Sequence, residues 1–95
     1  MKIGIVGSGD VAQSLGAGLV KAGHSVMLGT RDTSKKELAS WHKKNDKNRQ
    51  LGSTTDAANF GEIIILAIAW HAAEDVIAQI RPEVSGKVLI DVTNP

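Results

Sequence analysis

The apolar run Lys2–Val6 passes without interruption into Gly7-Ser8-Gly9-Asp10-Val11-Ala12, and the residues beyond it keep a helical period. Two glycines one residue apart, where a strand gives way to a helix, leave few options. The chain turns sharply and the helix packs back along the strand. The spacing predicts a helix over 10–22, with Val11, Leu15 and Leu19 on its core face, Gly16 and Gly18 allowing close packing, and Gly23 ending it. A second apolar run at 25–28 then completes a strand, helix and strand of one crossover unit.

The alternation continues. Strand-length apolar runs are expected at 62–67 and 87–91, with a weaker one around 51–53. The unbroken Ile63-Ile64-Ile65-Leu66 suits a strand covered on both faces. Ser34-Lys35-Lys36-Glu37 has the form of a capping box and predicts a second helix carrying Leu38 and Trp41. A third helix is predicted over 72–83, turning Ala73, Val76, Ile77 and Ile80 inward before Pro82 and Gly86 close it. The fold class expected is α/β: a Rossmann-type, doubly wound, mostly parallel sheet in three αβα layers. Residues 1–95 form one domain. Chains that bind a dinucleotide and also act on a second substrate are usually longer, so a C-terminal part for substrate or second cofactor is expected beyond this domain.

In such a unit the loop has a chemistry. Gly7 permits the turn, Gly9 lets a pyrophosphate approach the backbone where a Cβ would intervene, and Ala12 keeps helix and strand close. The helix N-terminus supplies N–H groups and partial positive charge, and the Ser8 hydroxyl adds a donor. Asp10 either caps the helix, pointing away from the phosphates, or repels them; capping is expected. At the end of the second strand an NAD site would carry an acidic residue for the ribose 2′-hydroxyl, but Gly29-Thr30-Arg31-Asp32 stands here. Thr30 offers a hydroxyl and Arg31 a planar, permanently charged fork, which suits the 2′-phosphate of NADP. A one-residue slip would instead bring Asp32 to that place and read NAD.

Composition excludes several other classes. Eleven basic and ten acidic side chains leave a net charge of +1, so no overall field draws the chain to nucleic acid or an anionic membrane. Lys43, Lys44, Lys47 and Arg49 are interspersed with Asn45, Asp46 and Asn48 and lack interleaved aromatics, which reads as a solvated helix end. There is no cysteine, hence no disulfide or thiolate chemistry, in keeping with a cytoplasmic location. The longest apolar stretch, 63–70, is far below the ~20 residues needed to cross a bilayer. Three dispersed histidines give no metal triad, and Asp56, Glu62, Glu74 and Asp75 give no acid/base pair, so neither a metal site nor a catalytic side chain is assigned. Hydride transfer requires none, because the cofactor carries that chemistry.

Four segments together, Ile5-Val6-Gly7-Ser8-Gly9-Asp10-Val11-Ala12, Gly29-Thr30-Arg31-Asp32, Leu66-Ala67-Ile68-Ala69-Trp70 and Asp91-Val92-Thr93-Asn94-Pro95, resemble the NADP-binding domain of the coenzyme F420-dependent NADP oxidoreductases, a family related to the cytosolic domain of STEAP-type metalloreductases. The resemblance implies that Ser8, Gly9, Asp10 and Val11 lie along the pyrophosphate and that Thr30 and Arg31 hold the 2′-phosphate. It also implies that Ala67, Ile68, Trp70, Asn94 and Pro95 border the ribose and nicotinamide, and that F420 or a flavin is the hydride partner. Some members of the family carry a second basic residue where Asp32 stands. Trp70 reads equally as a nicotinamide wall or a packing anchor, and His71 as a helix-start residue before a proton carrier. Three functions stay open on the residues alone: an NADP-dependent reductase with a flavin-like partner, a non-enzymatic NADP(H) sensor, and the cofactor domain of a dehydrogenase acting on a small carbonyl or imine. An open sheet edge after the last strand leaves pairing into a homo-oligomer open as well.

Overall fold

The computed structural model describes residues 1–31, 34, 38, 41, 47–68 and 70–92, and for residues 70–72 the backbone only. Five strands, β1 (Lys2–Val6), β2 (Ser25–Gly29), β3 (Arg49–Gly52), β4 (Ile63–Leu66) and β5 (Val88–Asp91), form one sheet in the order β3-β2-β1-β4-β5. Every neighbouring pair is parallel. The helices are α1 (Asp10–Lys21), α2 (Thr54–Phe60) and α3 (Trp70–Val84). This is the expected Rossmann-type α/β architecture, with β1 at the point where the chain stops adding strands on one side and starts on the other.

Alternation along the strands sorts the core into two layers. Ile3, Ile5, Val26, Leu28 and Ile65 pack against Ala12 of α1 and against Leu38 and Trp41. Val6, Ile64 and Leu66 pack against Ala58 of α2 and against Val76 and Ile80 of α3 on the opposite face. The central strands are therefore covered on both sides, as their continuous apolarity predicts.

Several expectations shift. The core face of α1 is Ala12 and Gly16, flanked by Leu15, Leu19 and Val20, whereas Val11 is 47% exposed. The helix lies so close to its neighbours that small residues make the contact: a Cβ on Gly16 would come within 2.7 Å of the Trp41 ring, while at Gly18 it would meet nothing within 4 Å. The third strand begins at Arg49, earlier than its apolar residues suggest, and Arg49 lies over the Trp41 ring at 4.6 Å from the centroid. Trp41 also donates from Nε1 to the Gln50 carbonyl at 2.9 Å. Helix α3 starts at Trp70 and carries Pro82 within its last turn. The helix predicted from the Ser34 capping box falls largely outside the described residues.

Helix α2 has no counterpart among the expected elements. Its signal is Ser53, whose hydroxyl accepts from Asp56 N at 3.0 Å while the Asp56 carboxylate accepts from Ser53 N at 3.1 Å, a complete capping box. It sits tightly on the sheet because Gly4 and Gly29 lack side chains: a Cβ on Gly4 would overlap the Ala57 carbonyl, and one on Gly29 would approach Ala57 Cβ to 2.8 Å.

Candidate cofactor-binding site

The carboxyl ends of β1 to β4 open onto a cleft of about 300 Å³, beside the switch point where the sheet reverses its order. Gly7, Ser8 and Gly9 enter from β1, Gly29, Thr30 and Arg31 from β2, Thr54 from the start of α2, Ala67 and Ile68 from β4, and Val76 from α3. The loops do not hang loose from the strands. Gly7 N donates to Gly29 O at 2.9 Å, Thr30 N to Gly52 O at 3.0 Å and Ala67 N to Val6 O at 2.9 Å, so the sheet ladder continues into the rim of the cleft. Rigid strand ends thus position the groups that a ligand would meet.

Gly7 has φ +142°, in the region that favours glycine, and a Cβ there would overlap the Ala67 carbonyl oxygen. Gly9 differs: a Cβ would meet nothing within 4 Å, because the space over it is the open cleft. Gly9 is also the N-cap of α1, with no side-chain hydrogen bond at the cap. Asp10, expected to cap, is instead the first helical residue and is exposed. The cap of α1 is thus a glycine without a side-chain acceptor, and the first-turn N–H groups have no intrahelical partner. Gln13 reaches back to hold the loop, its Nε2 donating to Ser8 O at 2.9 Å.

The candidate residues divide. Gly7, Ser8, Gly9, Thr30, Arg31, Ala67 and Ile68 come together on the cleft. Asp10 and Val11 stand beside Gly9 in the first turn, with a separate shallow hollow that they line together with Ser14 and Leu15. Trp70 begins α3, next to the cleft in sequence, but its side chain lies outside the description, and so do Asn94 and Pro95 altogether. Thr54 and Val76 were not among the expected site residues. Thr54 could have been found from the Ser53-x-x-Asp56 cap at the end of a strand, whereas Val76 carries only the signature of a core residue.

The cleft has one charged group at its rim and one buried hydroxyl beside it among the described residues. Arg31 is the charged side chain on the cleft among the described residues, and it is exposed at the rim. Beside it Thr30 is buried at 4% exposure, and Gly29 leaves no room for a carboxylate. Among the described residues no group of three metal-ligating side chains gathers, and no helix is long and apolar enough to cross a membrane.

Comparison with known proteins agrees with this geometry. The rat metalloreductase STEAP3 (Rattus norvegicus) is 33% identical over 94 residues, which is 99% of this chain and 18% of that protein. The F420-dependent NADP reductase of Methanothermobacter thermautotrophicus is 32% identical over 101 aligned positions, covering all of this chain and 44% of the reductase. A solved structure assigned as an F420-dependent NADP reductase, from Arthrobacter sp. FB24, superposes with a TM-score of 0.89 at 25% identity over all of this chain and 46% of its own. The chain therefore spans less than half the length of each of these relatives. The family described as NADP oxidoreductase, coenzyme F420-dependent, matches residues 2–95, and the chain belongs to it.

Proposed function

We propose that the cleft binds NADP(H) and that the chain is the cofactor-binding domain of a reductase passing hydride between NADP(H) and a deazaflavin or flavin-like partner. The observation that carries the reading is the pairing, on one cleft, of the Gly7–Gly9 loop with a strand end where Gly29 excludes an acidic side chain and Thr30-Arg31 follows. A loop alone speaks for a pyrophosphate; the second strand end speaks for the extra phosphate on the ribose.

Each residue then has a task. The first-turn N–H groups of α1 and the open face of Gly9 receive the pyrophosphate, helped by the positive end of the helix. The Thr30 hydroxyl and the Arg31 guanidinium hold the 2′-phosphate, Arg31 as a two-pronged donor. Ala67 and Ile68, at the end of β4, lie across β1 from that phosphate and take the nicotinamide half; the family resemblance adds Trp70, Asn94 and Pro95 to that task. When bound, the nicotinamide supplies the hydride chemistry, and the protein's part is alignment and exclusion of water. The partner is inferred from family membership: relatives of this chain are named F420-dependent NADP reductases. The chain covers 44% of the length of one such reductase, and the reading puts the partner's site in the remainder.

The test is a titration of intrinsic tryptophan fluorescence with NADPH and NADH, followed by NADPH oxidation assays with F420, FMN and FAD on the chain and on a version joined to a relative's C-terminal part. Saturable NADPH binding, with turnover on a deazaflavin or flavin in the joined protein, is the expected result. Tight binding without turnover on any acceptor in either form would favour a sensing role. Failure to bind either nucleotide would remove the reading.

A further inference from the structure

Buried polar side chains destabilise a fold unless their hydrogen bonds are made, so where a small domain keeps them is informative. Among the described residues the buried polar ones are Thr30, at 4% exposure, and Thr54, at 6%, and both line the same cleft. Thr30 has a task in the reading above. Thr54 does not. It is the first residue of α2, on a different strand end, and its hydroxyl donates to Gln79 Oε1 of α3 at 3.3 Å, bridging the two helices. Gln79 is exposed, and it lies three residues beyond Val76, the apolar residue that α3 contributes to the cleft. That spacing puts both on one face of the helix.

Resting on the NADP reading, we propose that Thr54 and Gln79 form a reader for the adenine base of the cofactor. With the pyrophosphate at Gly7–Gly9 and the 2′-phosphate at Thr30 and Arg31, the base continues from the ribose into the part of the cleft bounded by Thr54 and Val76. The other half of the dinucleotide runs toward Ala67 and Ile68. Adenine presents a donor, its N6 amino group, next to an acceptor, N7. The Thr54–Gln79 pair presents the complement. Because the Thr54 proton is committed to Gln79 Oε1, the Thr54 oxygen can only accept from the cleft side, while Gln79 Nε2 carries two donors. Val76 meets the apolar ring face. A base with a carbonyl in place of the amino group sets acceptor against acceptor at Thr54, so the pair selects adenine over hypoxanthine. The hydrogen bond between the two residues is what fixes this polarity: without Gln79 the Thr54 hydroxyl turns and accepts or donates at will.

The experiment compares NADPH with its hypoxanthine counterpart, nicotinamide hypoxanthine dinucleotide phosphate in reduced form, by calorimetric titration of the native chain, Gln79→Ala, Thr54→Val and Thr54→Ser. The native chain is expected to bind NADPH about tenfold more tightly than the analogue, the scale of one buried hydrogen bond gained or opposed. Gln79→Ala and Thr54→Val bring the two within about twofold, the first because the freed Thr54 hydroxyl donates to the carbonyl of the analogue as readily as it accepts from adenine, the second because it removes both the bond to adenine and the clash with the analogue; Thr54→Ser, which keeps the hydroxyl, retains most of the preference. Gln79 is exposed, so its replacement leaves the fold intact and stands as the decisive variant even where Thr54→Val perturbs packing. Equal affinities in the native chain, or an undiminished preference in Gln79→Ala, would overturn the proposal while leaving the NADP reading in place. Absence of binding to both nucleotides would overturn the NADP reading, and this proposal with it.

Discussion

Strands β4 and β5 are adjacent, parallel and close to each other in sequence character, Ile-Ile-Ile-Leu against Val-Leu-Ile-Asp, yet they live in different surroundings. In β4, Ile64 and Leu66 are fully buried, because β1 flanks the strand on one side and α2 and α3 cover one face. In β5 every residue is exposed, Val88 to 58%. An apolar run specifies a strand, whereas burial is decided by what the topology lays beside it. It also separates the part of the sheet that forms the cleft from the part that does not. The loops after β1, β2 and β4 are laced together by backbone hydrogen bonds and hold the candidate site, while β5 adds an edge that contributes nothing to the cleft among the described residues.

That contrast can be broken at graded strength. The largest effect is expected at the laced rim: Gly7→Val forces a branched side chain into a positive φ and into the Ala67 carbonyl, destabilising the domain by about 4 kcal/mol or more. Loss of a cooperative urea transition, or of nucleotide binding in any residual folded fraction, is the readout. Leu66→Ala comes next, at about 3 kcal/mol for a fully buried leucine, seen as a lower urea midpoint at unchanged slope. Ser53→Ala removes the cap of α2 and is expected to lower stability by about 1 kcal/mol in the same measurement. Val88→Ala, on the exposed edge, should change it by less than about 0.5 kcal/mol. If Val88→Ala proved as damaging as Leu66→Ala, β5 would be covered in solution and the contrast between the two strands would fail.

Much of the architecture was legible in the residues because it rests on short-range patterns. The run into Gly7 and Gly9, the periodic segment after it and the second apolar run suffice for β1, α1 and β2, and the glycine loop and Thr30-Arg31 line one cleft. What was missed has a common cause. Helix α2 buries Thr54, Ala57 and Ala58, small residues seated against Gly4 and Gly29, so it offers no stripe of large apolar side chains to detect. Val11 looked like a core residue, but the close approach of α1 gives the core face to Ala12 and Gly16. Thr54 and Val76 reach the cleft only because the chain crosses from β3 at one edge back to β4 beyond β1, a long-range consequence of topology that no local spacing records.

Selection of NADP by the end of β2, as proposed above, is open to calorimetric titration of the native chain and Arg31→Ala with NADPH and NADH. The native chain is expected to prefer NADPH, and the substitution to weaken NADPH by about 1.5–3 kcal/mol, roughly ten- to hundredfold in Kd, with NADH almost unchanged. Equal losses for both nucleotides, or a native preference for NADH, would contradict it.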